Sequence, residues 1–371
     1  MKEISYKSEI HYFDTFNEFV EAFNINNEDV IFTRKAFMPF FNQLKAKPIF
    51  VFNDDFGKSE PTDSIIDEIL EYLKNLNFKR VIAMGGGSIV DIAKILVLKD
   101  VTSTEALFKK EIPIVKEKEL VIIPTTCGTG SEVSNVSVAE IRSLHTKMGL
   151  ADDAMFADQA VLIPEILQSL PLKVIINSSL DALAHAVESY LSPRATAMSE
   201  MYSVEAIKTI LSVYKKMAEN GGDEAYKNLK ELLFASCYGG ISFGHAGTAT
   251  AHAMAYPLGS VYHVPHGEAV NQFMMDCLKY YEKAKPNGKI KNLIKLFSDT
   301  LDLKNSKDVF YEFENLFEKI VPQKRLRDYG MSKTECILFA ENVIQNQQRL
   351  LKNSYVPMTK DVIEYIYDIR Y

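Results

Sequence analysis

Apolar residues in the first half of the chain recur with two periods. Val30–Phe32, Pro48–Phe52, Val81–Met84 and Leu120–Ile123 are short apolar runs, the pattern of strands buried on both faces. Between them the spacing becomes helical. The clearest stripe is Ile65, Ile66, Ile69, Leu70 and Leu73, which follows Pro61-Thr62-Asp63, a sequence suited to starting a helix. Strands alternating with helices predict a parallel sheet covered on both faces. Residues 133–163 break this rhythm: Val133–Ile141 and His145–Leu150 fit an antiparallel excursion, and Ala160–Ile163 a further strand. Beyond Pro171 the strand signals fade, and helical patterns follow at 174–191, 196–219, 223–243, 265–283, 306–319 and 332–350. The expected fold is α/β, with a Rossmann-like parallel-sheet domain over residues 1–170 and an all-α domain over 171–371.

A length of 371 residues agrees with two domains, because single cores stop growing at about 250–300 residues. The net charge of −7, with no basic run longer than a pair such as Lys109–Lys110, argues against a nucleic-acid partner. The four cysteines lie far apart and form no C-x-x-C pattern, which suits a reducing cytoplasm. The N-terminal MKEISYKSEI has no apolar core of the signal-peptide kind. Apolar stretches such as ILVL at 95–98 fall far short of a membrane span, which takes about 20 residues.

Two loops are candidates for binding phosphate. In VIAMGGGSIVDIAKILVL, residues 81–98, a strand ends in glycines and a helix follows at once. Glycines allow close backbone approach and φ > 0, and the amides of a helix start attract anions. Ser88 and Asp91 have the S-x-x-D spacing of a capping box, so a turn that merely caps its helix is the plainer alternative. The second loop lies in VIIPTTCGTGSE, residues 121–132. Its Thr125, Thr126, Gly128, Thr129, Gly130 and Ser131 supply hydroxyls and glycines, although such a segment is often only a polar turn. Two such loops at neighbouring strand ends make a nucleotide site the better reading.

A metal-binding candidate lies in the helical half. In SSLDALAHAVESY, Asp181 and His185 stand i, i+4 within an apolar helix, so one face presents both. An aspartate holding a core histidine is the plain alternative. Three of the seven histidines, His252, His263 and His266, fall in TAHAMAYPLGSVYHVPHGE, where Pro257 and Gly259 are expected to interrupt a helix. One carboxylate with several imidazoles suits Fe²⁺ or Zn²⁺.

GGGS at 85–88, PTTCGTGSE at 124–132, DALAHAVE at 181–188 and HAMAYPLGSVYHVPHG at 252–267 together resemble the signatures of the iron-containing (group III) alcohol dehydrogenase family, in order and spacing over nearly the whole chain. The resemblance implies a dinucleotide-binding α/β domain, a helical domain, and a cleft between them for metal and nicotinamide. It implies Asp181, His185, His252 and His266 as metal ligands; Gly86, Gly87, Ser88 and Asp91 toward the cofactor; Thr125, Thr126, Thr129 and Ser131 on its other side; and Lys147 bordering its pocket. It also implies NAD, with NADP as the alternative, one divalent metal, a small alcohol or aldehyde substrate, and a homodimer or larger assembly.

The chain departs from the family pattern in places. Tyr256 stands where many relatives have a further histidine, so a proton relay passes to Tyr256, His245 or His263. His245 replaces a usual asparagine, Ile163-Pro164 an Asp-Pro pair, and Thr33-Arg34-Lys35 a Thr-Asp-Lys stretch of NAD-preferring members. With RLLKNSYVP at 349–357, these departures most resemble the branch acting on 4-hydroxybutyrate and succinic semialdehyde. That substrate carries a carboxylate, for which Lys147, Arg194, Arg349 and Lys352 are candidate partners. A dehydrogenase of short-chain primary alcohols or diols is the alternative. A dehydroquinate-synthase-like lyase is more distant, since no basic cluster for a phosphorylated substrate is found, and a non-catalytic nucleotide-binding protein would not need the four ligands.

Overall fold

The computed structural model describes residues 3–57, 61–144, 146–303 and 308–371. His145, expected to open the second antiparallel strand, and positions 306 and 307 of the 306–319 pattern lie outside the described residues.

The strands are β1 Glu9–Tyr12, β2 Asp29–Thr33, β3 Ile49–Phe52, β4 Arg80–Gly85, β5 Glu119–Pro124, β6 Val136–Ile141, β7 Thr146–Ala151 and β8 Gln159–Leu162. Six of them form one parallel sheet in the order β1-β8-β5-β4-β2-β3, and β6 and β7 pair antiparallel. The apolar runs that announced β2, β4 and β5 are buried throughout. Val30, Phe32, Val81, Ala83, Leu120 and Ile122 pack with Ile65, Ile66, Ile69 and Leu73 of the helix Asp63–Leu73. Each large aliphatic side chain so buried contributes about 1.5–3 kcal/mol. Thr62 starts that helix, its side chain accepting a hydrogen bond from Ile65 N.

Three local expectations change. β6 begins at Val136 rather than Val133, because Ser131–Val133 forms a 3-10 turn. The 223–243 pattern divides into Glu224–Lys227 and Leu229–Ala246. The helix Thr250–Tyr262 runs through Pro257 and Gly259 without stopping. Proline removes one backbone donor, but the helix buries Ala251, Met254, Ala255 and Leu258, and packing supplies more helical stability than propensity does. The helices Lys289–Leu301 and Lys360–Arg370 add to those the pattern announced.

By internal packing the chain divides into two compact units. One holds Tyr6–Thr126 and Gly130–Ser169; the other holds Leu170–Tyr371, Cys127–Thr129 and the N-terminal residues up to Ser5. Among the described residues no helix is long and apolar enough to cross a membrane.

Candidate metal centre and cofactor loops

In the α/β unit the chain winds from β2 out to β3, then returns to β4 on the other side of β2. Open parallel sheets bind ligands outside the carboxyl ends of strands at such a reversal. The two strands flanking it are tied at that end, where Thr33 Oγ1 donates to Met84 O at 2.8 Å. β4 ends on Gly85, and the helix Gly87–Leu96 follows with Gly86 as its N-cap. Ser88 is therefore inside the helix, and the expected capping box does not form; no side chain caps this helix. Nor do Gly85 and Gly86 take a positive φ. Gly85 is needed for space, since a Cβ there would meet Ile89 at 2.4 Å.

Asp91, freed from capping, binds the segment after β5. Its Oδ1 accepts from Ser131 Oγ at 3.0 Å and its Oδ2 from Val138 N at 3.2 Å. Lys94, fully buried, donates to Ser131 Oγ, Ser134 Oγ and Val136 O at 2.8, 3.1 and 2.6 Å. Burial pushes the Asp91 carboxyl up and the Lys94 ammonium down to about 8. Thr125 is buried, with its N–H on Gly85 O, and Thr126 lies beside Gly86. Lys147 sits on β7 opposite Glu140. Thr129 belongs to the helical unit instead.

In the helical unit three elements carry the histidine-aspartate cluster: the helix Leu172–Leu191 with Asp181 and His185, the helix Thr250–Tyr262 with His252, and the start of the helix His266–Ala284. Asp181 Oδ1 stands 3.4 Å from His252 Nε2, 3.6 Å from His266 Nε2 and 3.9 Å from His185 Nε2. Ligands of a tetrahedral metal at about 2.1 Å stand roughly 3.4 Å from one another. Asp181 Oδ1 and His252 Nε2 are buried and make no hydrogen bond, an arrangement that is expensive unless a further group binds them. The donor set and the two unsatisfied atoms fit a divalent cation.

The imidazoles are oriented from behind. His185 Nδ1 faces Gly128 O at 3.3 Å, and His252 Nδ1 faces Glu188 Oε2 at 2.6 Å. Both oxygens can only accept, so each Nδ1 carries the hydrogen and each Nε2 is turned toward Asp181. Gly128 is required for this: a Cβ there would meet Ser178 O at 2.5 Å. Burial lowers His185 to about 4. Burial opposes protonation of His252 too, but Glu188 and Asp181 raise it to about 9. Against the effect of its own burial, Asp181 is held well below the usual carboxylate range by His185, His266 and His252.

Phe243 stacks on His185, ring centroids 4.4 Å apart, and Tyr256 on His266 at 6.1 Å. His263 is exposed at the far end of its helix, at φ 53°. Arg194, Arg349 and Lys352 are exposed. Sequence reasoning missed Lys94, Glu188 and Phe243. The available signal for the first was a lysine inside the apolar helix IVDIAKIL, and for the second its position one turn after His185.

The pattern of the iron-containing alcohol dehydrogenase family matches residues 11–164, and that of the C-terminal part of the Fe-containing alcohol dehydrogenase family matches residues 175–371. The chain belongs to the iron-containing alcohol dehydrogenase family. Among curated members it is 43% identical over 364 residues to the 4-hydroxybutyrate dehydrogenase of Clostridium kluyveri, covering 98% of each chain. Solved iron-containing alcohol dehydrogenase folds align over its whole length. A 1,3-propanediol oxidoreductase has a TM-score of 0.84 at 19% identity, with 100% of both chains covered. The sulfoacetaldehyde reductase of Bifidobacterium kashiwanohense, solved with NAD⁺, has a TM-score of 0.85 at 21% identity, covering 100% of this chain and 98% of that one. These two likenesses establish the fold.

Proposed function

We propose that this iron-containing alcohol dehydrogenase interconverts 4-hydroxybutyrate and succinic semialdehyde with NAD and one divalent metal, Fe²⁺ or Zn²⁺, held by Asp181, His185, His252 and His266. The observation that carries the metal is the group Asp181, His185 and His252, whose ligand atoms all lie within 4.8 Å of one another and two of which make no hydrogen bond, with His266 Nε2 3.6 Å from Asp181 Oδ1. The observation that carries the substrate is the 43% identity to the Clostridium kluyveri enzyme over 98% of both chains.

When bound, the metal supplies a Lewis acid toward the substrate oxygen, and nicotinamide supplies the hydride acceptor or donor. The chain's own residues prepare the ground for both. Gly128 O and Glu188 fix two of the imidazoles, the Phe243 ring packs on buried His185, and Tyr256 stacks on the exposed His266. The alcohol proton has to leave, and Tyr256 Oη, on a half-buried side chain, is the group proposed to relay it, accepting that proton as its own phenolic proton passes to solvent. In the α/β unit, Gly86, Gly87 and Ser88 present uncapped helix-start amides to a pyrophosphate, with Asp91, Thr125, Thr126 and Ser131 behind them. Thr129 and Lys147 remain proposed cofactor contacts on the family resemblance.

NAD rather than NADP is favoured at β2. Arg34, the residue that could pair with a 2′-phosphate, is engaged by Asp54 at 3.3 Å, with Asp55 close by on Lys35. Arg34 and Lys35 each already hold a carboxylate, which an added phosphate would have to displace. We further propose a cytoplasmic location, supported by four cysteines that are all free and buried, and a homo-oligomeric state, supported by family membership alone.

The test is kcat/KM for 4-hydroxybutyrate, 1-butanol and 1,3-propanediol, each with NAD and NADP. A charged hydrogen bond to the substrate carboxylate is worth about 1.5–3 kcal/mol, so 4-hydroxybutyrate should lead 1-butanol by roughly 10–150-fold. Equal or better turnover of the uncharged alcohols sinks the carboxylate reading, and a tenfold preference for NADP sinks the cofactor choice.

A further inference from the structure

Glu188 lies one turn beyond His185 on the same helix and is buried. Both of its oxygens are engaged. Oε1 accepts from Ala251 N at 2.7 Å; Oε2 accepts from Ala249 N at 2.7 Å and from His252 Nδ1 at 2.6 Å. Ala249 is the N-cap of the helix that carries His252, and Ala251 is the second residue of that helix. One carboxylate therefore holds both the His252 ring and the backbone on which the ring is mounted.

A helix that only needed capping would be served by a Ser, Thr, Asp or Asn at its own N-cap. Here the N-cap is an alanine without a capping side chain, and the acceptor comes from 61 residues upstream. The choice of donor is also informative. An acceptor-only group on Nδ1 leaves Nε2 as the ring atom able to offer a lone pair. Charge points the same way. Asp181 and Glu188 are two buried carboxylates, and together they match the charge of one divalent cation, which a buried site must neutralise to be stable.

We propose that Glu188 is a positioning residue of the metal centre: it fixes the tautomer and orientation of His252 and completes the neutralisation of the bound ion. This rests on the assignment of Asp181, His185, His252 and His266 as ligands.

The test uses the full chain, stripped of metal, as wild type, Glu188→Gln and Glu188→Asp. Zn²⁺ affinity is read by competition with a chromophoric chelator, ligand geometry by the visible spectrum of the Co²⁺-loaded protein, and folding by the thermal midpoint of the metal-free protein. Glu188→Gln should bind Zn²⁺ about 10–100-fold more weakly, with an altered Co²⁺ spectrum. Glu188→Asp keeps the charge and should recover part of the affinity; it carries the test alone if the glutamine variant does not fold. Wild-type affinity and spectrum in both variants, with only the metal-free midpoint lowered, would reduce Glu188 to a helix cap and overturn the proposal. Wild type that takes up no stoichiometric Zn²⁺ or Co²⁺ instead removes the ligand assignment, and this inference falls with it.

Discussion

Glu132 is a buried carboxyl whose Oε1 has no hydrogen-bond partner, in the same 131–138 segment that Lys94 anchors. Burial raises it from an ordinary 4.5 to about 7. Between those values the folded chain binds more protons at this site than the unfolded chain, so the site's contribution to stability is full below pH 4.5 and lost as pH rises through 7. A tenfold difference in proton affinity corresponds to about 1.4 kcal/mol, which makes the swing roughly 3 kcal/mol. Glu132→Gln should therefore gain on wild type as pH rises from 5 to 8, by several degrees in thermal midpoint; a pH-independent difference would contradict the assignment. Legibility at this scale follows helix geometry. Asp181 and His185 were visible because i, i+4 spacing puts two side chains on one face. Lys94 and Glu188 were not, because their partners lie 37 and 64 residues away, and spacing along one helix says nothing of what stands opposite.

Two helices meet closely where the proposed metal ligands change chain segment. A Cβ on Gly267 would come within 1.8 Å of Asn177 O, so the start of the His266 helix touches the backbone of the Asp181 helix directly. Gly267→Ala cannot be absorbed by a rotamer change; it must push the two helices apart. Overpacking of this kind costs about 1–3 kcal/mol or more. The expected outcome is a lower metal-free thermal midpoint together with weaker Zn²⁺ binding, because His266 moves with its helix; unchanged Zn²⁺ affinity would detach His266 from the centre. β2, β4 and β5 were legible because burial on both faces leaves an unbroken apolar run, and β3, though a half-buried edge strand, because its residues IFVF are all apolar. β1 was not, since its four residues EIHY lie at the sheet edge and only partly buried. Pro257 misled for a different reason: local propensity opposed a helix that burial of its alanines and Leu258 sustains.

At the scale of the molecule, the four proposed ligands all belong to the helical unit, whereas Gly86–Ser88 and Asp91 belong to the α/β unit. Metal should therefore stabilise the helical unit. A ligand at 100 times its Kd adds about 2.7 kcal/mol to the state that binds it. Chelation should lower the calorimetric transition of that unit and readdition of Zn²⁺ should restore it, with calorimetry preferred because the chain has no tryptophan. A transition indifferent to chelator would count against the ligand set. The passage from strands to helices was legible in the change of period near Pro171, but one detail had no signal in it. Cys127–Thr129 leave the α/β unit to pack with the helices, and Gly128 there supplies the carbonyl that holds His185. The helical unit is thus not a contiguous cassette. Grafting residues 170–371 onto another nucleotide-binding scaffold would carry over every side chain proposed to bind the metal and still leave behind a peptide oxygen that tells one of them which way to face.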